Sequence, residues 1–150
     1  AALRSHLPGS VLSEATPLSG LADDMVDPPT TLAARAAYDE AGVGPGDLDV
    51  VECQDTDAAR ELLAYQELEL CAPGEQAQLL AEPKVVVNPS GGLLSKGEPL
   101  GASALGQVVE LVSQLRGHAG SRQVDGARVA LGHTVGRGAN ASVVILRRSR

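Results

Sequence analysis

The chain is almost without aromatic side chains. It contains no Phe and no Trp, and its only aromatics of this kind are Tyr38 and Tyr65. It therefore lacks the rings on which single-stranded nucleic acid stacks, and a net charge of −7 disfavours contact with a phosphate backbone. We exclude nucleic acid as a partner and expect a core built from Val, Leu and Ala.

Cysteine is also scarce. Cys53 and Cys71 show no CxxC spacing and have no cluster of histidines nearby. This pattern disfavours both a disulfide framework and a zinc site. We expect no metal, and we interpret both cysteines as buried thiols used in packing.

Long apolar runs are absent as well. No stretch reaches the roughly 18 to 20 residues that cross a membrane, and the N-terminus lacks the basic and then apolar order of a signal peptide. The sequence predicts no membrane span and a cytoplasmic location. With 150 residues and 43% apolar composition, it predicts one folded domain over residues 27–150. Residues 1–26 show little periodicity, and we interpret them as an N-terminal segment, a candidate remnant of a preceding element.

Hydrophobic periodicity predicts alternating helices and strands. The predicted helices are Thr31–Ala41, Ala58–Leu70, a short piece ending near Ala81, and Gly101–Arg116; the predicted strands are Lys84–Asn88, which we expect to be buried, Leu48–Cys53, Ala127–His133 and Ala141–Leu146. The buried side of the clearest helix is predicted to carry Leu105, Val108, Val109, Leu111, Val112 and Leu115. The order predicts an α/β fold, a three-layer sandwich whose mixed sheet ends in an antiparallel pair.

A glycine-rich loop is the most unusual stretch of the sequence. Residues 88–103 read Asn-Pro-Ser-Gly-Gly-Leu-Leu-Ser-Lys-Gly-Glu-Pro-Leu-Gly-Ala-Ser. Glycine lets backbone amides approach a ligand, and the following helix turns its free N–H groups toward the loop. We expect an anion or a developing oxyanion there. The predicted ligand-binding residues are Ser90, Gly91, Gly92, Lys96 and Gly101.

Two motifs in this loop carry a family resemblance. Asn-Pro-x-Gly-Gly, followed by Lys-Gly-x-Pro-Leu-Gly-Ala, resembles the signature loop of the thiolase superfamily, especially its lipid-transfer or sterol-carrier branch. The resemblance covers about residues 27–146 and implies the carboxy-terminal half of a thiolase. It also implies that the nucleophilic cysteine of the family belongs to the other half. We accordingly interpret residues 27–150 as a thiolase-like C-terminal domain.

The sequence departs from the family at three polar positions that normally take part in catalysis. Gln54 and Glu98 stand where the lipid-transfer branch usually has His, and Thr134 stands where degradative thiolases place a second Cys. The resemblance implies Glu98 as a base or neutral donor if the loop buries it, and Gln54 as a donor to a thioester oxygen. It implies His133, beside Thr134, as a titrating group.

Several of these residues also have structural interpretations. Glu98 could instead accept N–H groups at the start of the following helix, and His133 could be a hydrogen-bonded residue at a strand end. Lys96 could meet a phosphate or a pantetheine carbonyl, or lie solvated on the surface. Asp55 matches a family position, and we expect a structural role for it as a cap at the helix that follows.

The resemblance implies an enzyme that acts on an acyl-CoA thioester, with coenzyme A as part of the substrate and no covalently bound cofactor. The substitutions favour retro-aldol C–C cleavage on a bulky, sterol-like side chain, as in steroid degradation. The implied partners are a second copy or a thiolase-like chain, and a small OB-fold and zinc-ribbon protein. Two alternatives stay open: an acyltransferase or thiolase with its cysteine on the missing half, and a non-catalytic thiolase-like scaffold subunit.

Overall fold

The computed structural model describes residues 4–6, 11–12, 27–136 and 140–149. Within these ranges six strands form one sheet, with helices on both faces. The strands are β1 (Arg4–His6), β2 (Val11–Leu12), β3 (Val50–Glu52), β4 (Val86–Val87), β5 (Val129–Gly136) and β6 (Asn140–Arg147). The helices are α1 (Pro29–Ala41), α2 (Ala58–Glu67), α3 (Gln76–Ala81), α4 (Gly92–Lys96) and α5 (Ser103–Arg116), with 3-10 turns at Pro45–Asp47 and Gly120–Arg122.

The sheet is mixed, as predicted. Its order is β1-β6-β5-β3-β4, and β2 also pairs with β6. Strand β3 runs parallel to both β4 and β5, whereas β5 and β6 form an antiparallel hairpin. The hairpin does not end the sheet, because β1 and β2 pair with the outer side of β6. The first 26 residues thus contribute two short strands, and the domain boundary at residue 27 stays a prediction.

One face of the sheet packs against α1. Successive strand residues point to opposite faces, so that Val51, Leu131 and Ile145 share this side. Helix α1 meets them with small side chains, which let the helix lie close to the sheet. The buried residues of α1 in this core are Ala33, Ala34, Ala37 and Tyr38. The hydroxyl of Tyr38 donates to the carbonyl of Leu68, 2.8 Å away, and joins α1 to the end of α2.

The other face packs against α5, which completes the predicted three layers. Leu111 and Leu115 lie against Val50, Ala130 and Leu146 in a second core. The prediction for this helix was wrong at two positions, since Leu105 and Val109 are 67% and 65% exposed. The buried side of α5 is rotated so that it includes three polar residues. Gln107, Glu110 and Gln114 are buried, and Gln114 bonds the backbone of Arg122 and Val124.

The ends of the helices are set by individual residues that hydrophobic periodicity does not reveal. Helix α1 begins two residues earlier than predicted, with Pro29 in its first turn, and ends at Ala41, before Gly42 caps it with a φ of 63°. Helix α2 ends at Glu67, before Glu69 enters the left-handed region with φ 58°. The strand predicted as buried over residues 84–88 is also shorter. Only Val86–Val87 pairs, at the sheet edge, where Val86 is 40% exposed.

In the part of the chain that the structure covers, no helix combines the length and the apolar character needed to cross a membrane.

The close contact between β5 and α5 gives a testable packing constraint. A Cβ added at Gly132 would lie 3.0 Å from Val144 Cγ1 and 3.2 Å from Leu111 Cδ1. We expect Gly132→Val to lower the free energy of unfolding by about 1–3 kcal/mol, because a packed core has no room for the side chain. Denaturant unfolding followed by circular dichroism measures the change.

Gly106→Ala on α5 is the matched control. An added Cβ at Gly106 meets nothing within 4 Å, and alanine favours the helix over glycine by up to about 1 kcal/mol. The control should therefore be neutral or stabilising. An equal loss of stability in Gly132→Val and Gly106→Ala would contradict the packing argument.

Candidate active site

The candidate site lies at the carboxyl ends of two neighbouring parallel strands. Strand β3 runs parallel to β4 and β5, so the segments that follow β3 and β4 emerge at one edge of the sheet. Gln54 comes two residues after β3, the glycine-rich loop follows β4, and Thr134 lies in the later part of β5. A groove of about 780 Å³ opens at this edge, and its lining includes Gln54, Arg60, Glu98, Gly101 and Thr134.

Gln54 links two other residues of the groove through its side-chain amide. Its Oε1 accepts hydrogen bonds from the backbone N of Val135 at 2.6 Å and from Thr134 Oγ1 at 2.7 Å, and its Nε2 donates to Glu98 Oε1 at 2.7 Å. A backbone N–H can only donate, so Val135 determines which end of the amide is the oxygen. The three positions at which the sequence departs from the family pattern therefore form one hydrogen-bonded chain.

The bond between Gln54 and Glu98 leaves a free hydrogen-bond donor next to a free acceptor in the groove. Nε2 of Gln54 carries a second hydrogen and Glu98 has a second oxygen, and no described residue bonds to either. Glu98 is exposed, so the glycine-rich loop does not bury it as the sequence-based interpretation required. Glu98 does not cap α5 either, because the amides of Ala102 and Ser103 donate to the carbonyl of Pro99. Glu98 is thus available as a hydrogen-bond acceptor in the groove.

The amides of the glycine-rich loop are already occupied by the protein itself. Four consecutive N–H groups each have an internal partner. Ser90 N donates to Glu52 Oε1, Gly91 N to the carbonyl of Asn88, Gly92 N to Ser90 Oγ, and Leu93 N to Asp55 Oδ1, at 3.1, 2.9, 3.2 and 2.6 Å. The expected anion in this loop is replaced by two carboxylates of the chain. Ser90, Gly91 and Gly92 consequently belong to the scaffold of the groove.

Glu52 anchors the first part of the loop and is the more deeply buried of the two carboxylates. It is 1% exposed, and its Oε2 accepts from Ser90 Oγ at 2.7 Å. Lys96 Nζ lies 3.6 Å from the same oxygen and donates to Ser90 Oγ at 2.7 Å. Burial raises the pKa of Glu52, while the Ser90 hydrogen bonds and the Lys96 charge act to lower it. Lys96 is therefore an internal counterion that ties α4 to β3.

Asp55 anchors the second part of the loop. It is 2% exposed, and its bond to Leu93 N caps α4. Asp55 has the structural role predicted for it, but it does not cap the helix that follows, because Asp57 caps α2 by accepting from Arg60 N at 2.9 Å. The closeness of Asp55 also explains why residue 92 is a glycine. With a φ of 65°, Gly92 lies so close that an added Cβ would be 1.8 Å from Asp55 Oδ2.

Gly101 lies on the groove, just ahead of α5. Its φ is 78°, and α5 begins at Ser103 rather than at Gly101 as predicted. Nothing lies within 4 Å of the position where a Cβ would stand, so this glycine serves the turn rather than a close contact. Of the predicted ligand-binding residues, it is the one that lines the groove with Gln54 and Glu98.

His133 lies on the opposite side of β5 from Thr134. It is 2% exposed, and its Nε2 is 3.2 Å from Thr30 Oγ1 at the start of α1. Its Nδ1 has no partner among the described residues. Burial lowers the pKa of His133 to about 4, so the ring is neutral at pH 7. The structure does not bring His133 to Gln54 and Glu98, and its buried contact with Thr30 matches its interpretation as a hydrogen-bonded residue at a strand end.

The cysteines do not reach the groove. Cys53 is 1% exposed, and its Sγ accepts from Asn88 Nδ2 at 3.4 Å. Burial raises the pKa of Cys53 to about 12, which suppresses the thiolate that a nucleophile needs. Cys71 is only partly buried, with burial again raising its pKa. Over the described ranges, no group of His, Cys, Asp and Glu is placed to hold a metal ion.

Sequence reasoning missed three functional features of this site. Thr134 was recognised only as standing in place of a family cysteine, whereas its hydroxyl fixes Gln54. Glu52 went unassigned, although a single charge inside the apolar run Val50–Cys53 was a signal for a buried partner. Arg60, which lines the groove, gave no signal, since an arginine in the first turn of a helix is ordinary.

Comparison with known proteins identifies the family. The model of the family described as "Thiolase C-terminal domain-like" matches residues 14–148, and the chain belongs to this family. Sterol carrier protein 2 of Rattus norvegicus is 50% identical over 121 residues, which are 77% of this chain and 22% of that protein. The predicted resemblance to the carboxy-terminal half of the thiolases, on the sterol-carrier side, is confirmed.

Solved structures support the same fold. The Ltp2-ChsH2(DUF35) aldolase superposes with a TM-score of 0.69 at 24% identity, covering 81% of this chain and 32% of the other. Human mitochondrial 3-ketoacyl-CoA thiolase in complex with CoA gives 0.60 at 25% identity, covering 83% and 26%. The chain therefore spans about a quarter to a third of these proteins and about a fifth of sterol carrier protein 2.

Burial of His133 gives a pH dependence that can be measured. The unfolded chain takes up a proton on this ring near pH 6.5, whereas the folded chain does so near pH 4. Stability should therefore fall as the pH drops from 6.5 to 4, by as much as about 3 kcal/mol at about 1.4 kcal/mol for each pH unit. Urea unfolding in a series of buffers over this range measures the slope.

His133→Gln isolates this contribution, because glutamine can still bond Thr30 but does not titrate. Its stability should change less with pH between 6.5 and 4 than that of the wild-type protein. His118→Gln, at an exposed histidine, is the control and should keep the wild-type slope. Identical slopes in the wild type and His133→Gln would refute the assignment.

Proposed function

We propose that this domain supplies the oxyanion donor and the base of a thiolase-like enzyme of the lipid-transfer-protein type. The enzyme cleaves a C–C bond of a β-hydroxyacyl-CoA thioester by a retro-aldol reaction. The observation that carries the proposal is the fixed pair of Gln54 and Glu98. Their free N–H and free carboxylate oxygen match the two groups of such a substrate, a thioester oxygen that needs a donor and a β-hydroxyl that needs an acceptor.

Gln54 and Glu98 together account for each proton and electron pair that moves in the reaction. Glu98 takes the proton of the β-hydroxyl, the β-carbon becomes a carbonyl, and the bond between the α- and β-carbons breaks. The electron pair of that bond forms an enolate on the thioester, whose oxygen accepts from Gln54 Nε2. The α-carbon then takes the proton back from Glu98, which yields an acyl-CoA and a free carbonyl compound. Coenzyme A takes part only as a portion of the substrate.

The residues of the domain fit a reaction without an acyl-cysteine. Cys53 is buried and paired with Asn88, outside the groove, and the family resemblance puts Thr134 at the position of the second thiolase cysteine. The neutral Gln54 also suits an enolate better than a second carboxylate would, because its amide can donate to the developing charge. Glu98 then acts on the hydroxyl and not on the thioester oxygen.

The substrate and partners form the finer part of the proposal. A groove of about 780 Å³, open to solvent, suits a bulky acyl group such as a sterol-like side chain, and similarity to sterol carrier protein 2 supports a lipid substrate. The remaining walls come from segments outside this domain. We propose assembly with a second copy or a thiolase-like chain, and with a small OB-fold and zinc-ribbon protein.

Acyl transfer is the second candidate. It is favoured by the likeness to human mitochondrial 3-ketoacyl-CoA thiolase, at 25% identity. In that case a cysteine outside this domain forms the acyl-enzyme, and Gln54 and Glu98 orient the thioester. An acyl adduct detected by intact mass spectrometry after incubation with acyl-CoA separates this reaction from retro-aldol cleavage. A non-catalytic scaffold forms no adduct and cleaves no substrate.

Removal of the base tests the retro-aldol assignment. Glu98→Gln keeps the shape of the side chain and an oxygen that accepts from Gln54, but it cannot take a proton. In the full-length protein with its partner chains, we expect kcat to fall about 10²- to 10⁴-fold with little change in KM. Chromatography of the acyl-CoA and carbonyl products from a β-hydroxyacyl-CoA measures turnover.

Glu82→Gln is the matched control, because Glu82 is an exposed carboxylate at the end of α3 and does not line the groove. This variant should keep wild-type turnover. Unchanged turnover in Glu98→Gln would show that Glu98 is not the base. An acyl adduct in the wild-type protein, without free carbonyl product, would replace the proposal with acyl transfer.

A further inference from the structure

Arg60 gives the groove a positive charge that has no partner. Among the described residues that line the groove, it is the only cation. Its side chain is exposed, and its guanidinium makes no hydrogen bond or ion pair with any described residue. Two other arginines of the described chain form ion pairs, Arg35 with Glu69 and Arg122 with Glu110, whereas the exposed Arg116 forms none with a described residue. An unpaired guanidinium in a groove is available to a ligand.

The chain path limits how far Arg60 lies from the reacting groups. Arg60 is in the first turn of α2, three residues after its cap Asp57, and Asp57 is three residues after Gln54. Three extended residues followed by three helical ones span at most about 15 Å between Cα atoms. The same ligand can therefore reach both Gln54 and Arg60. Leu100 and Ala104 give the groove an apolar lining suited to a methylene chain.

The other charges in the groove have partners. Asp57 accepts from the amide of Arg60 and stands at the positive end of the α2 dipole, and Glu98 accepts from Gln54. Among the charged side chains of the described groove, that of Arg60 is the one without a hydrogen-bonding partner. A guanidinium binds carboxylate and phosphate groups through two parallel hydrogen bonds.

We propose that Arg60 binds an anionic group of the thioester substrate, at a second point of attachment beyond the carbonyl held by Gln54. This inference rests on the proposed function and narrows its substrate class to thioesters with a carboxylate or phosphate within reach of α2. The anion is either a carboxylate at the far end of the acyl group or a phosphate of the coenzyme. Arg60 thus determines specificity and takes no part in the proton transfers.

Three probes separate the two sources of the anion. Hexanoyl-pantetheine carries neither group, adipoyl-pantetheine adds a terminal carboxylate, and hexanoyl-CoA adds the phosphates. None has a β-hydroxyl, so calorimetry with the full-length protein measures binding without retro-aldol turnover. Wild type is compared with Arg60→Gln and with Arg116→Gln, a control at an exposed arginine at the end of α5, away from the groove.

In the wild type we expect adipoyl-pantetheine or hexanoyl-CoA to bind at least about tenfold more tightly than hexanoyl-pantetheine. Arg60→Gln should abolish that preference and leave the affinity for hexanoyl-pantetheine unchanged, whereas Arg116→Gln should keep both. The preferred probe identifies the anion as carboxylate or phosphate.

Either of two results would overturn the proposal for Arg60. One is the absence of any preference in the wild type, and the other is a preference that Arg60→Gln retains. With hexanoyl-pantetheine still bound, both results would leave the proposed function intact. Loss of binding of all three probes in the wild type would reject the thioester site and the role of Arg60 together.

Discussion

Two buried carboxylates at the end of β3 hold the whole site in place. Glu52 and Asp55 are 1% and 2% exposed, and an unpaired charge at such depth would cost several kcal/mol. The amides of the glycine-rich loop, with Ser90 and Lys96, supply the compensating hydrogen bonds and charge. The strand and the loop therefore depend on each other, and the loop carries Glu98 to Gln54 as a result.

The internal hydrogen bonds of the loop determine which groups of the groove remain free to contact a substrate. The amides of Ser90 and Leu93 bond to Glu52 and Asp55, and those of Gly91 and Gly92 bond within the loop, so residues 90–93 offer no free N–H group to an oxyanion. In the proposed reaction the donor is instead the amide of Gln54, whose orientation is set by Val135 and Thr134 on β5. The acceptor is Glu98, exposed in the groove. A fixed neutral donor beside a carboxylate suits proton removal from a hydroxyl next to an activated carbonyl.

Much of the fold could be predicted from the sequence, because the strands and long helices have clear periodicity and the loop motifs are specific. The rotation of α5 could not, since Glu110 and Gln114 are buried only because Arg122 and Val124 lie opposite them in the fold. For the site, the loop motif and family positions predicted Gln54 and Glu98 as members. The pairing of loop amides with Glu52 depends on contacts 38 residues apart, which a local pattern does not contain.

The central claim is that Gln54 and Glu98 together bind a β-hydroxyacyl thioester. A crystal structure of the full-length protein with a β-hydroxyacyl amide analogue tests it most directly, because nitrogen in place of the thioester sulfur makes the enolate much harder to form and so slows cleavage. The account predicts the carbonyl oxygen at about 3 Å from Gln54 Nε2 and the β-hydroxyl at a similar distance from a Glu98 oxygen. A carbonyl bound instead to the amides of residues 90–93, with Glu52 or Asp55 displaced, would contradict it.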